Sequence, residues 1–412
     1  MNKKIFAIIV LAAGLASCSN NEVATTTEEP ETTPVTTPRH DITLSRAEQE
    51  ILNGETAFAF NLFGKIAEER SGTNLIIAPY NLATALSMVA NGADGDVRNA
   101  LIRALGSQSL EDLNAINKRL IEELTTLDPT VTMKVANSIW GAPEFTYAGD
   151  FSNRLLTDYK AESMTADLST TEGINAFNEW CSRATDGMIP KALEGPRKLE
   201  FMIASANLFK GLWYSPFKKE DTRKDEFRGA SGKSRVDMMS QKGGFASVAY
   251  DGCVAARMYY GNTAFRMTVI LPDEEVGING YLSTLTPEKW EILSRNFNLS
   301  DKKIFLPKFR IEDENMLSDA LSQMIPEAFG PSAKFSGIAA EKEVKLSLIL
   351  QKAVIDVDEA GTKAAAVTII GDSMVSPSSN YREDFRADRP FIFIIDETST
   401  GAILFMGMVN NL

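Results

Sequence analysis

The chain predicts an α+β fold, one large domain whose helices pack on large mixed or antiparallel sheets. Apolar residues recur at helical spacing through the first third, and the last third is a series of short β-branched or aromatic runs bounded by turns. No fixed-period repeat and no Pro/Gly linker interrupts residues 41–412, so that stretch reads as a single unit above the usual domain size. With 412 residues, 44% of them apolar and 24% charged, the chain can bury a large core.

Taken in order, Met1 to Cys18 has Lys3 and Lys4, an apolar run from Ile5 to Ala13, then small residues, the layout of a secretory signal. The run falls short of the roughly 20 residues needed to span a bilayer. Leu15-Ala16-Ser17-Cys18 resembles a bacterial lipobox, which implies a lipoprotein signal peptide over residues 1–17 and a lipidated Cys18. Ser19 after it implies outer-membrane sorting. The expectation is an exported protein, lipid-anchored to a bacterial outer membrane on its periplasmic or cell-surface face. Residues 18–40 are Thr-, Pro- and Glu-rich with almost no large apolar side chain, and read as a disordered tether.

The domain itself spans 41–412. Arg46 to Glu69 places Ala57, Phe60, Leu62, Phe63 and Ile66 along one side of a helix, and Leu82 to Asn91 forms a second, mostly buried helix after Pro79. Cys181 falls in a helical pattern with Phe177, Trp180 and Ala184, and Cys253 in a short apolar run, so both read as buried thiols rather than a disulfide. Strands are expected at Phe265–Leu271, Lys303–Ile311, Val344–Gln351, Ala353–Val357, Phe391–Ile395 and Ala402–Val409. The last of these are apolar on both faces, as in a central sheet or a barrel-like core.

Several chemistries are excluded. The chain's one histidine, His40, precedes the domain, which removes His-dependent nucleophile triads and multi-His metal sites. A net charge of −13 opposes nucleic-acid binding. Gly232-Lys233-Ser234 lacks the earlier glycine of a phosphate loop, Phe227 standing there, and reads as a surface turn. Asp356, Asp358 and Gly361 mimic an EF-hand, but Ala360 and Val367 occupy two ligand positions. No metal, cofactor or catalytic residue is therefore expected, and the protein is not expected to be an enzyme.

The segment Glu359-Ala360-Gly361-Thr362-Lys363-Ala364-Ala365-Ala366-Val367-Thr368 demands another account. Gly361 supplies a hinge, and small side chains let the backbone pass close to neighbouring strands. At period two, Thr362, Ala364, Ala366, Thr368 and Ile370 share a face that would be buried if the segment became a strand. This hinge, with Ala360 replacing a more usual Glu, resembles that of an inhibitory serpin. Asn74-Leu75-Ile76-Ile77-Ala78-Pro79, Phe209-Lys210-Gly211-Leu212-Trp213, Leu306-Pro307-Lys308-Phe309 and Asp388-Arg389-Pro390-Phe391 match landmarks of the same family in order.

The resemblance implies a serpin-type domain with a reactive-centre loop at about 359–386. It implies a serine protease inhibitor acting as a suicide substrate, its cleaved loop entering the main sheet as a strand and trapping the acyl-enzyme. The hinge would comprise Glu359, Gly361, Thr362, Ala364, Ala365, Ala366 and Thr368. Family spacing from Gly361 places the scissile bond at Val375-Ser376, with Met374 as the alternative, and these residues favour an elastase-like target over subtilisin- or chymotrypsin-like ones. The shutter, where the sheet parts, would be Ala78, Asn81, Ser205 and Gln351. These depart from the family's usual Ser, Ser, Asn and His, yet Asn81, Ser205 and Gln351 are expected to supply a buried polar network. A monomer is expected, with membrane contact through lipid alone. The competing functions are a non-inhibitory serpin-fold binding protein and a surface lipoprotein of unrelated binding function.

Overall fold

The computed structural model describes residues 37–339, 344–346, 348–362 and 384–412; the expected signal, Cys18 and most of the expected reactive-centre loop lie outside these. Its first helix, α1 (Arg46–Glu69), opens on a capping box. The Glu48 N–H donates to Ser45 Oγ at 3.3 Å and the Ser45 N–H to Glu48 Oε2 at 2.7 Å. α2 (Pro79–Gly92) begins three residues earlier than its apolar pattern, because proline has no N–H to lose and its fixed φ suits a helix's first turn. Every residue of α2 except Asn91 is buried. There follow α3 (Gly95–Ala104), α4 (Leu110–Leu124), α5 (Gly149–Tyr159) and α6 (Thr171–Ala184).

The strands in chain order are β1 (Leu75–Ile77), β2 (Val131–Gly141), β3 (Glu162–Thr165), β4 (Phe201–Leu212), β5 (Arg223–Gly229), β6 (Gly232–Tyr250), β7 (Cys253–Tyr260), β8 (Phe265–Pro272), β9 (Asn298–Pro307), β10 (Phe309–Met316), β11 (Leu348–Val357), β12 (Gly361–Thr362), β13 (Phe385–Arg386), β14 (Phe391–Glu397) and β15 (Ile403–Val409). One sheet of six strands runs β10-β11-β12-β4-β2-β3, with β11 also paired directly to β4. A second, of nine, runs β1-β15-β14-β8-β7-β6-β9-β13, with β5 on β6. Both are open, so the barrel-like alternative is wrong; the doubly apolar strands β14 and β15 are instead interior strands of the nine-stranded sheet.

The expected strand Lys303–Ile311 is in fact two, β9 and β10, in different sheets. The chain switches sheets at Pro307-Lys308, where the Lys308 N–H turns to the Asp237 carbonyl at 2.8 Å. Conversely, Val344–Gln351 and Ala353–Val357 merge into the one strand β11, which starts at Leu348. Gly232, at φ +130°, lies in the turn of the β5–β6 hairpin. Cys181 and Cys253 are buried free thiols. Among the described residues no helix is long and apolar enough to cross a membrane.

β4 is the strand on which both layers rest. Ile203 and Phe209 face the core shared with α1 and α2, whereas Met202, Ala204, Ala206 and Leu208 pack with Phe177 and Trp180 of α6. The helical core also holds an ionisable group: Glu55 of α1 is buried near Tyr80, and burial pushes its carboxyl up to about 8. Between the ordinary value of 4.5 and about 8, folded protein keeps a proton that unfolded chain has released. Its contribution is therefore complete below that ordinary value and lost as pH rises through the folded one. Glu55→Gln should thus lose part of the decline in melting temperature between about pH 5 and about pH 8, read by differential scanning calorimetry. Identical declines in the two proteins would contradict this assignment.

Candidate functional site

In the six-stranded sheet, β4 and β11 are parallel neighbours from Met202↔Leu348 to Asn207↔Ala353. Beyond that seam they diverge, and Gly361-Thr362 fills the gap as a strand antiparallel to both, with Thr362 opposite Val357 and Gly211, and Gly361 opposite Leu212. The wedge requires glycine. At φ +155°, a Cβ on Gly361 would lie 2.0 Å from the Gly211 carbonyl oxygen.

The turn into the wedge is built by Asp358, whose Oδ1 accepts the N–H groups of Ala360 at 2.8 Å and Gly361 at 3.3 Å. Trp213, at the end of β4, donates its ring N–H to the Asp358 carbonyl at 3.0 Å and its backbone N–H to that of Ala360 at 2.9 Å. The Thr362 hydroxyl is fully buried and shares a 2.7 Å hydrogen bond with the Tyr260 hydroxyl, whose ring stacks on Trp213 at 4.3 Å. Glu359 accepts from Lys308 Nζ at 2.8 Å and from the Thr222 hydroxyl at 2.9 Å. Its burial opposes ionisation, but the Lys308 ammonium and the other donors outweigh it and hold the carboxyl below its usual range. The latch joins the hinge to the point where the chain crosses between sheets.

Glu359, Gly361 and Thr362 are thus assembled at one end of the seam. Ala364, Ala365, Ala366, Thr368, Met374, Val375 and Ser376 lie outside the described residues. Ala78, Asn81, Ser205 and Gln351 do meet, beneath the seam, with Ser205 and Gln351 as direct strand partners. Gln351 and Ser205 do enter buried hydrogen bonds through their side chains, whereas Asn81 enters through its backbone carbonyl. Gln351 bonds the backbone of Ala78, its Oε1 accepting from the N–H at 2.8 Å and its Nε2 donating to the carbonyl at 2.9 Å. Ser205 accepts from Asn207 at 3.3 Å, and the Asn81 carbonyl accepts from Asn137 at 3.3 Å.

Asn137, Asn207, Thr222 and Tyr260 carry no motif that reveals these roles. Lys308 and Trp213 stand inside quoted landmarks, but the sequence does not show that both would converge on the hinge.

Against known families, residues 53–412 match the model described as Serpin (serine protease inhibitor), and the chain belongs to that family. The family is described as one of serine protease inhibitors. A leukocyte elastase inhibitor of Xenopus laevis is 31% identical, with 85% of this chain and 97% of that protein covered. One of Sus scrofa is 28% identical over 88% of this chain and all of its own. Among solved structures, the thermophilic serpin tengpin in its native state superposes with a TM-score of 0.81 at 28% identity, covering 92% of this chain and 97% of tengpin.

Substituting Gly361→Ala should expel the wedge and remove the two backbone bonds that close over Trp213. A red shift in tryptophan emission at unchanged far-ultraviolet circular dichroism is expected; an unshifted spectrum would show that the wedge tolerates a side chain.

Proposed function

We propose that this serpin inhibits serine proteases as a suicide substrate, with loop cleavage near Val375-Ser376 followed by strand insertion at the β4–β11 seam. The observation that carries this reading is the Gly361-Thr362 wedge, which already stands antiparallel between two parallel strands. Continued in the same register, the loop would set Ala364 between Phe209 and Ile355, Ala366 between Asn207 and Ala353, and Thr368 between Ser205 and Gln351. That row would lie on the face of the core residues Ile203 and Phe209.

Insertion exchanges one parallel ladder for two antiparallel ones, the geometry with the stronger pairing. Roughly ten added hydrogen bonds at about 1 kcal/mol each make the gain on the order of 10 kcal/mol. The uninserted form is then metastable and held by a kinetic barrier.

The elastase-like target is supported by Val375 and Met374 and by the names of the Xenopus and Sus relatives. Anchoring through lipidated Cys18, with an outer-membrane location and a monomeric state, completes the proposal. Mixed with elastase, the protein should give a denaturant-stable band at the summed mass and release a peptide beginning at Ser376. Ala366→Arg should keep loop cleavage but lose most of that band. Cleavage of the parent protein with no covalent band for elastase, subtilisin, chymotrypsin or trypsin would reject the inhibitory reading.

A further inference from the structure

A cavity of about 910 Å³ runs along α1, and no residue of the hinge or the seam lines it. Its volume falls in the range of small-molecule sites. Across from α1 stand α7 (Gly277–Leu282) and α8 (Pro287–Arg295), with Met324 of α9 (Ser318–Met324) and the turn that follows α3 completing the rim.

Two glycines of α1 line this cavity, and the structure explains only one of them by packing. Glycine in a helix interior costs stability relative to alanine, so each needs a reason. Gly54 has one: a Cβ there would lie 2.2 Å from Gly106 Cα, and the helix could not meet the turn after α3. Around Gly64, by contrast, no atom lies within 4 Å of the place a Cβ would occupy. What its missing side chain leaves is open space on the cavity floor.

The walls around that space are apolar, supplied by Phe60, Leu282 and Pro287. Polar groups gather at the two ends. At one, Lys65 Nζ donates to Gln323 Oε1 at 3.2 Å and Asn279 Nδ2 to Ser71 Oγ at 3.0 Å, while Glu68 adds a negative charge. At the other, Arg103 in the last turn of α3 has no side-chain partner among the described residues. An anion is therefore repelled from the Glu68 end and drawn to the guanidinium, whose planar fork suits a carboxylate. Between Ala57 and Glu68 the helix rises about 16 Å, the length of a medium acyl chain.

We propose that this groove binds a medium-chain fatty acid, its carboxylate paired with Arg103 and its acyl chain laid across Gly64 against Leu282 and Pro287. Neither the hinge nor protease trapping is required for such binding, so the site stands apart from the inhibitory reading.

The test titrates full-length protein with dodecanoate, below its micellar concentration, by isothermal calorimetry, and follows the melting temperature in parallel. One equivalent should bind, and the melting temperature should rise with dodecanoate concentration. Gly64→Phe, which fills the floor, should weaken binding at least tenfold, whereas Gly64→Ala should retain most of it and start from a higher melting temperature. Arg103→Gln should weaken binding about two- to fivefold, as expected for an exposed ion pair, and should abolish its sensitivity to salt. Arg103→Lys should restore part of both. The proposal is overturned by absence of saturable binding, by several equivalents adsorbing alike to parent and variants, or by undiminished affinity in Gly64→Phe or Arg103→Gln. Should Gly64→Phe fail to fold, the Arg103 variants and their salt dependence still decide.

Discussion

The parallel pairing of β4 with β11 is the constraint around which the rest of the molecule is arranged. Parallel neighbours need a long connection, and here the chain between them builds most of the nine-stranded sheet before returning as β11. The two strands meet over residues 202–207 and 348–353 and then part, leaving two rows of main-chain groups that Gly361-Thr362 begins to satisfy. The Glu359–Lys308 latch, the Asp358 turn and the Tyr260–Trp213 stack all converge on that dipeptide. Each would be an ordinary packing detail elsewhere; together they fix where a third strand starts.

Polar groups are distributed unevenly around this seam, and the unevenness has physical content. Buried amides without partners are costly, and among the described residues Asn137 Oδ1 of β2 and Asn207 Oδ1 of β4 have none. The β11 side is bonded to the segment leading into α2 through Gln351, Asp313 and Asn315. Gln351 still bonds Ala78, so the residues at this seam remain joined. The Gln351 amide supplies both a donor and an acceptor to the Ala78 backbone, so Ala78 needs no hydroxyl to be held.

Much of the site was legible in residues that backbone geometry constrains. Gly361 was recognisable as a hinge because its conformation admits no side chain, and Thr362 because its period-two neighbours are small. Helix α1 was readable from its apolar spacing. Less legible was β4, whose buried Ser205 and Asn207 interrupt the apolar run that marks β14 and β15 as strands. The sheet switch at Pro307-Lys308 was hidden because apolar residues continue through it. The partners of the shutter residues were also hidden: a glutamine side chain can reach any backbone within its length, and sequence does not say which one is adjacent.

By itself, then, the sequence determined the family, the α+β class and the hinge, because these depend on local backbone limits and on an ordered series of motifs. Tertiary structure alone decided that Gln351 holds Ala78, that Asn137 rather than Ser205 reaches the Asn81 carbonyl, and that Lys308 closes on Glu359. Those pairings join residues 51 to 273 positions apart. Their geometry follows from the register of two sheets against one helix, a quantity that no stretch of sequence contains.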